Sequence, residues 1–214
     1  MQVQDAISQA QQKTGIGSKQ PDLPARSLLE IWQQAISDSS ACPAYTCLGQ
    51  TLSYGEVDQL SRRVASYFQK KLKLVPGDRI AVQLPNLIQY PIVVVAAWKL
   101  GLVIVNTNPM YTVRELVHQF NDSGVKAVVV LDQFYQTLCD ALPDTAIEHV
   151  IVTRPLDLLP EPKRTLLSGA MKLMGKRPPL ARDKHISFTD LISGGGNYIA
   201  HKASLDDVCA LQYT

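Results

Sequence analysis

Net charge of either sign is almost missing from this chain. Its 21 Lys and Arg stand against 19 Asp and Glu, and a net charge of +2 gives no reason to expect a nucleic-acid surface. Long apolar runs are missing too. The longest, 92–105, is interrupted by Lys99 and falls short of the roughly 20 residues that cross a bilayer. Residues 1–10 carry Asp5 and several Gln but no continuous apolar core, which excludes a secretory signal and leads us to expect a cytoplasmic protein. Cys42, Cys47, Cys139 and Cys209 contain no C-x-x-C pair, and the four His are scattered. A zinc site or a disulfide framework is therefore not expected, and buried reduced thiols are.

What is present is a substantial apolar fraction, 46% against 19% charged over 214 residues, enough for one large soluble domain. Its centre is 79–131. Residues 79–84 and 126–131 are Val- and Ile-rich runs without alternation, as in strands covered on both faces. Between them the pattern predicts two helices and a short strand. Asn86 is the expected cap of the first helix and Gly101 its stop. The second opens on the T-x-x-E box of Thr112 and Glu115, lines Val113, Leu116, Val117 and Phe120 on one face, and ends at Gly124.

Around this centre, 27–37 predicts a short helix with Leu28, Ile31, Trp32 and Ala35 inward, and 43–53 a hairpin turning at Gly49. Ser53 and Glu56 form a second capping box, followed by Val57, Leu60, Val64 and Phe68 at helical spacing, with a basic, solvated opposite face. Pro76 and Gly77 turn the chain into the first core strand. Asp132 is the expected cap of a two-turn helix, and 149–153 reads as another strand. Strand and helix thus alternate, and right-handed crossovers give an α/β fold: a layered, mainly parallel sheet with helices on both faces.

Three segments stand apart. Residues 1–26, rich in Gln and Ser, form an expected mobile arm or one exchanged between chains. Residues 163–177 carry Lys163, Arg164, Lys172, Lys176 and Arg177 with no acid, and Leu167, Ala170, Met171 and Met174 share a helical face. Such a helix either packs that face on its own domain or lies on an anionic membrane. The run Gly194, Gly195, Gly196 lacks the strand and helix of a phosphate loop and reads as a flexible connector. The closing LDDVCALQYT reads as an apolar strand ending in two hydroxyl residues.

LSYGEVDQLSRRVASYF, the stretch from LVPGDRIAVQLPN to SGVKAVV, and DDVCALQYT together resemble the amino-terminal part of the adenylate-forming superfamily, above all bacterial long-chain fatty-acyl-CoA synthetases. The most specific piece is VNTNPMYT, 105–112. The resemblance implies that fatty acid, ATP and coenzyme A are substrates of the complete enzyme, with Mg²⁺ as cofactor and AMP passing through the site. It also implies that Tyr213 and Thr214 open a phosphate loop of pattern Y-T-[SG]-G-T-T-G-x-x-K-G, and that the Thr214 hydroxyl ligates Mg²⁺. These 214 residues contain no more of that loop, nor the family's acidic Mg²⁺ partner, adenosine-holding positions or carboxy-terminal lid with its Lys. No catalytic residue is therefore assigned. No ligase activity is expected of them alone, and a homodimer is; peripheral contact with the inner membrane through 163–177 stands as the alternative to packing of that helix on its own domain. The competing readings are a noncatalytic dimerisation or membrane-contact module, and part of a relative that adenylates aryl or amino acids.

Overall fold

The computed structural model describes residues 27–160, 162–174 and 185–213; the expected arm, Lys176, Arg177 and Thr214 lie outside them. In chain order the elements are α1 (Leu28–Ser39), β1 (Pro43–Cys47), β2 (Gln50–Ser53), α2 (Tyr54–Lys70), β3 (Arg79–Gln83), α3 (Gln89–Leu100), β4 (Val103–Asn106) and α4 (Val113–Ser123). They continue with β5 (Val125–Leu131), α5 (Tyr135–Ala141), β6 (His149–Thr153), α6 (Lys163–Leu173), β7 (Ile186–Ser187), α7 (Phe188–Ser193) and β8 (Ala210–Leu211).

Six strands form one sheet in the order β7-β6-β5-β3-β4-β8, and every pairing in it is parallel. Strand residues alternate between two cores because successive side chains leave opposite faces of a sheet. Ile80, Val82, Ile104, Ala127, Val129 and Ile151 join one core, in which Val64 and Phe68 of α2, Ile92 and Ala96 of α3, and Phe188 of α7 are buried. Ala81, Val105, Val128, Val130 and Val152 join the other, with Leu116 and Phe120 of α4 and Leu138 of α5. This is the layered parallel α/β fold expected from the sequence.

Local signals explain most of the element ends. Ser53 and Thr112 each accept from the backbone N–H three residues on, and Glu56 and Glu115 reach back, completing both capping boxes. Gly101 and Gly124 close α3 and α4 in the left-handed region, at φ 68° and 63°. Leu48 and Gly49, both at positive φ, make the two-residue turn between β1 and β2.

Other expectations are corrected. Ile88, not Asn86, precedes α3, and α3 has no side-chain cap. Asp132 opens a 3₁₀ turn instead of capping a helix, and its carboxylate pairs with Arg154 at 3.4 Å. In α1 the buried residues are Leu29 and Trp32, whereas Leu28 and Ile31 are exposed; Trp32 turns inward because its indole donates to Asp58 of α2. The end of α7 and the segment after it are laced to α2: Arg63 donates to the Ile192 carbonyl, Ser66 to that of Asn197, and Gln69 exchanges two bonds with the backbone of Ile199. The closing strand shrinks to two residues, with Leu205 and Val208 exposed. All four cysteines are free thiols, none of them fully buried, and Cys42 and Cys209 are exposed. Among the described residues no helix is long and apolar enough to cross a membrane.

Candidate functional site

In parallel sheets the loops at the carboxyl ends of the strands gather on one side, and ligands bind there where neighbouring strands send their loops to opposite faces. The chain passes from β3 outward to β4, then returns past β3 to β5, so the ends of β3, β4 and β5 meet this description. The residues there are polar and interlocked. Asn106, at the end of β4, donates through Nδ2 to Gln212 Oε1 at 2.8 Å and accepts from the Tyr90 hydroxyl at 2.6 Å. Gln119 of α4 donates to the Asn106 carbonyl at 3.0 Å, and Gln83, the last residue of β3, donates to the Pro109 carbonyl at 3.4 Å.

These contacts hold 106–109 as a fixed turn, further pinned by Thr107 N–H to the Val82 carbonyl and Met110 N–H to Asn108 Oδ1. Gln83 and Gln119 are buried, and the Oε1 atom of each lacks a hydrogen-bond partner. Two orphaned acceptors beside one loop mark a place suited to a water or an incoming donor.

Tyr213 follows directly. Its ring packs against the core that holds Phe120, and its hydroxyl donates to Asp122 Oδ2 at 2.5 Å. Burial first, then the Asp122 carboxylate, pushes the phenol above its ordinary range. Tyr213 therefore anchors the chain end to α4 with its hydroxyl already engaged. Thr214, the expected Mg²⁺ ligand, lies outside the described residues. Among those described there is no group of three or more His, Cys, Asp or Glu placed to hold a metal.

A second polar region went unnoticed in the sequence. Past the ends of β5, β6 and β7 lies a cavity of about 460 Å³, lined by Asp132, Arg154 and Asp157 and by Arg164, Thr165 and Ser168 of α6. Asp157 accepts from the Arg154 N–H at 2.8 Å and the Thr153 hydroxyl at 3.2 Å. Burial nevertheless raises its carboxyl, outweighing those bonds and the Arg154 charge. The available signal was positional: Asp132 and Arg154 each directly follow a strand.

The profile of the AMP-binding enzyme family matches residues 32–214. The chain belongs to that family. Among curated relatives, this chain is 39% identical to a long-chain-fatty-acid–CoA ligase of Haemophilus influenzae and 35% identical to one of Escherichia coli. In both comparisons the match covers 88% of this chain and 34% of the relative, so the chain spans about a third of their length. Solved structures agree on the fold. An anthranilate CoA ligase superposes with a TM-score of 0.73 at 16% identity, covering 90% of this chain and 33% of that one. A long-chain-fatty-acid-CoA ligase from Archaeoglobus fulgidus superposes with a TM-score of 0.67 at 23% identity, covering 93% and 36%.

Proposed function

We propose that this chain is the amino-terminal scaffold of a ligase that joins long-chain fatty acids to coenzyme A. The reading is supported by the curated relatives and, within the fold, by the clamp of Asn106 on Gln212. That clamp fixes the strand end from which Tyr213 and Thr214 lead into the phosphate loop. In the reaction a fatty acid carboxylate attacks the α-phosphorus of ATP, forming an acyl-adenylate and releasing pyrophosphate. The coenzyme A thiol then attacks the acyl carbon, giving the thioester and AMP. Activation is needed because a carboxylate would otherwise have to expel oxide. The residues of this chain contribute position: Asn106, Gln119 and Gln83 fix the loop beside the strand end, and Tyr213 ties it to α4. The Thr214 hydroxyl, a hard oxygen ligand, would help hold Mg²⁺, which offsets phosphate charge when bound.

The 214 residues alone hold two positions of the phosphate loop and produce no thioester from fatty acid, ATP and coenzyme A. The cell compartment we assign is the cytoplasm. A chimera in which this chain replaces the amino-terminal third of the Haemophilus influenzae ligase tests the proposal: it is expected to form acyl-CoA and AMP. A chimera that folds, judged by a cooperative thermal transition, yet stays inactive on long-chain fatty acids would overturn it, as would turnover by the 214 residues alone.

A further inference from the structure

Asn106 stands where the two helix layers of the fold meet. Gln119 of α4 holds its backbone carbonyl from one side, and Tyr90, in the first turn of α3, holds its side chain from the other. The Tyr90 ring packs against the core that contains Ile92 and Ala96. Its turn is fastened as well: the Tyr90 N–H donates to the Leu87 carbonyl, and the neighbouring Gln89, which is buried, donates to the Arg154 carbonyl at 2.9 Å. Burial raises the Tyr90 phenol above its ordinary range by more than the bond to Asn106 lowers it, so the hydroxyl keeps its proton. The far end of the Asn106 carboxamide donates to Gln212, the residue directly after β8. That strand is weakly held by its backbone, because it pairs with β4 only at Ile104 with Ala210 and Val105 with Leu211. The bond from Asn106 to Gln212 continues this register by one position through side chains.

We infer that Tyr90 is a positioning residue for the phosphate loop: through Asn106 and Gln212, its hydroxyl fixes the strand end from which that loop leaves. This role rests on the ligase reading. The reason is torsional. The last torsion of an Asn side chain is broad and roughly two-fold, so one bond to Gln212 alone lets the carboxamide turn. A second bond, from the Tyr90 hydroxyl to Oδ1 at 2.6 Å, removes that freedom. Without the hydroxyl, Gln212 is held by a partner that can swing, and the short pairing of β8 is left to keep the strand end in place. Tyr90 acts here through Asn106, and no contact of its own with substrate is required. The effect falls on the step in which the carboxylate attacks ATP, because the phosphate loop serves that step, and not on the affinity for coenzyme A.

Amide hydrogen exchange of the 214-residue chain, followed by NMR, tests the positioning without catalysis. In Tyr90→Phe, exchange at the Asn106 side-chain amide and at the backbone amides of residues 210–212 is expected to rise at least about fivefold, while Ile80, Ala81 and Val82 in mid-sheet change less. Unchanged exchange at residues 210–212 would overturn the inference. So would an equal rise at both places, which would make Tyr90 a packing residue only. Fatty-acid-dependent exchange of pyrophosphate into ATP by the chimera with the Haemophilus influenzae ligase tests the consequence. Tyr90→Phe is expected to lower its kcat about tenfold and to leave the KM for coenzyme A in the full reaction unchanged. Asn106→Ala should lower kcat at least as far, and adding Tyr90→Phe to it should lower it no further, because the hydroxyl then has nothing to hold. Additive losses, or a raised KM for coenzyme A with kcat intact, would also overturn the inference. A chimera that folds but is inactive with Tyr90 in place counts against the ligase reading, and the hydrogen-exchange result then decides by itself whether Tyr90 holds the strand end.

Discussion

The helices α4 and α6 are each 11 residues long and each carries an apolar side. In α4 that side is buried, with Leu116 at 0% and Phe120 at 2% exposure; in α6 Leu166 and Leu173 stand almost free. The difference comes from what surrounds them. Thr112 and Glu115 cap α4, Gly124 ends it, and β4 and β5 flank it in sequence, so its apolar side has a sheet to cover. A turn-rich segment containing Pro155 and Pro160 separates β6 from α6. Its polar side meets the polar loops past β6. Periodicity specifies that a helix has two sides; the neighbours decide which one turns inward.

The largest expected effect on this contrast is Phe120→Ala in α4, which should cost about 3–5 kcal/mol in urea unfolding, because it opens a cavity in a packed core. A loss no greater than that of an exposed residue would break the comparison.

Next comes the pair that fastens α2 to α3. Lys99 is 3% exposed and its Nζ lies 2.6 Å from Asp58 Oδ1, which also accepts from the Trp32 indole, while Arg62 donates to the other oxygen. Burial pushes the Asp58 carboxyl up, but the hydrogen bond and charge of Lys99, then Trp32 and Arg62, bring it below its ordinary value. Burial also lowers the Lys99 ammonium, more than Asp58 raises it. Removing the carboxylate strands a buried cation, so Asp58→Ala should cost about 3 kcal/mol. The sign of the pH effect follows from the lowered folded value of Asp58. Its contribution is present above the ordinary carboxylate range and is lost as the pH falls through the folded pKa. Acid unfolding should therefore be less steep in the variant than in the wild-type chain. An identical acid limb would argue that the carboxylate is not held low.

Thr112→Ala removes one cap bond and should cost α4 about 1 kcal/mol by the same denaturation measurement. The smallest effect belongs to α6: Leu166→Ala should change stability by less than about 0.5 kcal/mol. A cost of about 2 kcal/mol would show that this leucine is packed, and the contrast between the helices would fail.

Much of the fold was legible because its signals are local. The S-x-x-E pattern at Ser53 and the T-x-x-E pattern at Thr112 each named a helix start, and Gly101 and Gly124 named two stops. The same S-x-x-E pattern at Ser27 and Glu30 went unread and is a complete capping box. Misreadings arose where a distant partner intervenes. Asp132 is drawn to Arg154 and so does not cap a helix, and Trp32 is drawn to Asp58, which rotates α1 so that Leu29 is buried and Leu28 exposed. The site divides in the same way. The sequence pointed to Tyr213 by resemblance, but not to its bond with Asp122, 91 positions earlier, nor to the contact of Asn106 with Gln212.

The sequence by itself determined the alternation of buried strands and capped helices, and with it the family, because these depend on residues within a few positions of one another. Only the tertiary structure decided how Asn106, Gln119, Gln83 and Gln212 close around one turn, and that α6 shows its aliphatic side to the outside. Both results depend on groups brought together from distant parts of the chain. There, burial and hydrogen-bond partners, not local period, set the free energy of each orientation.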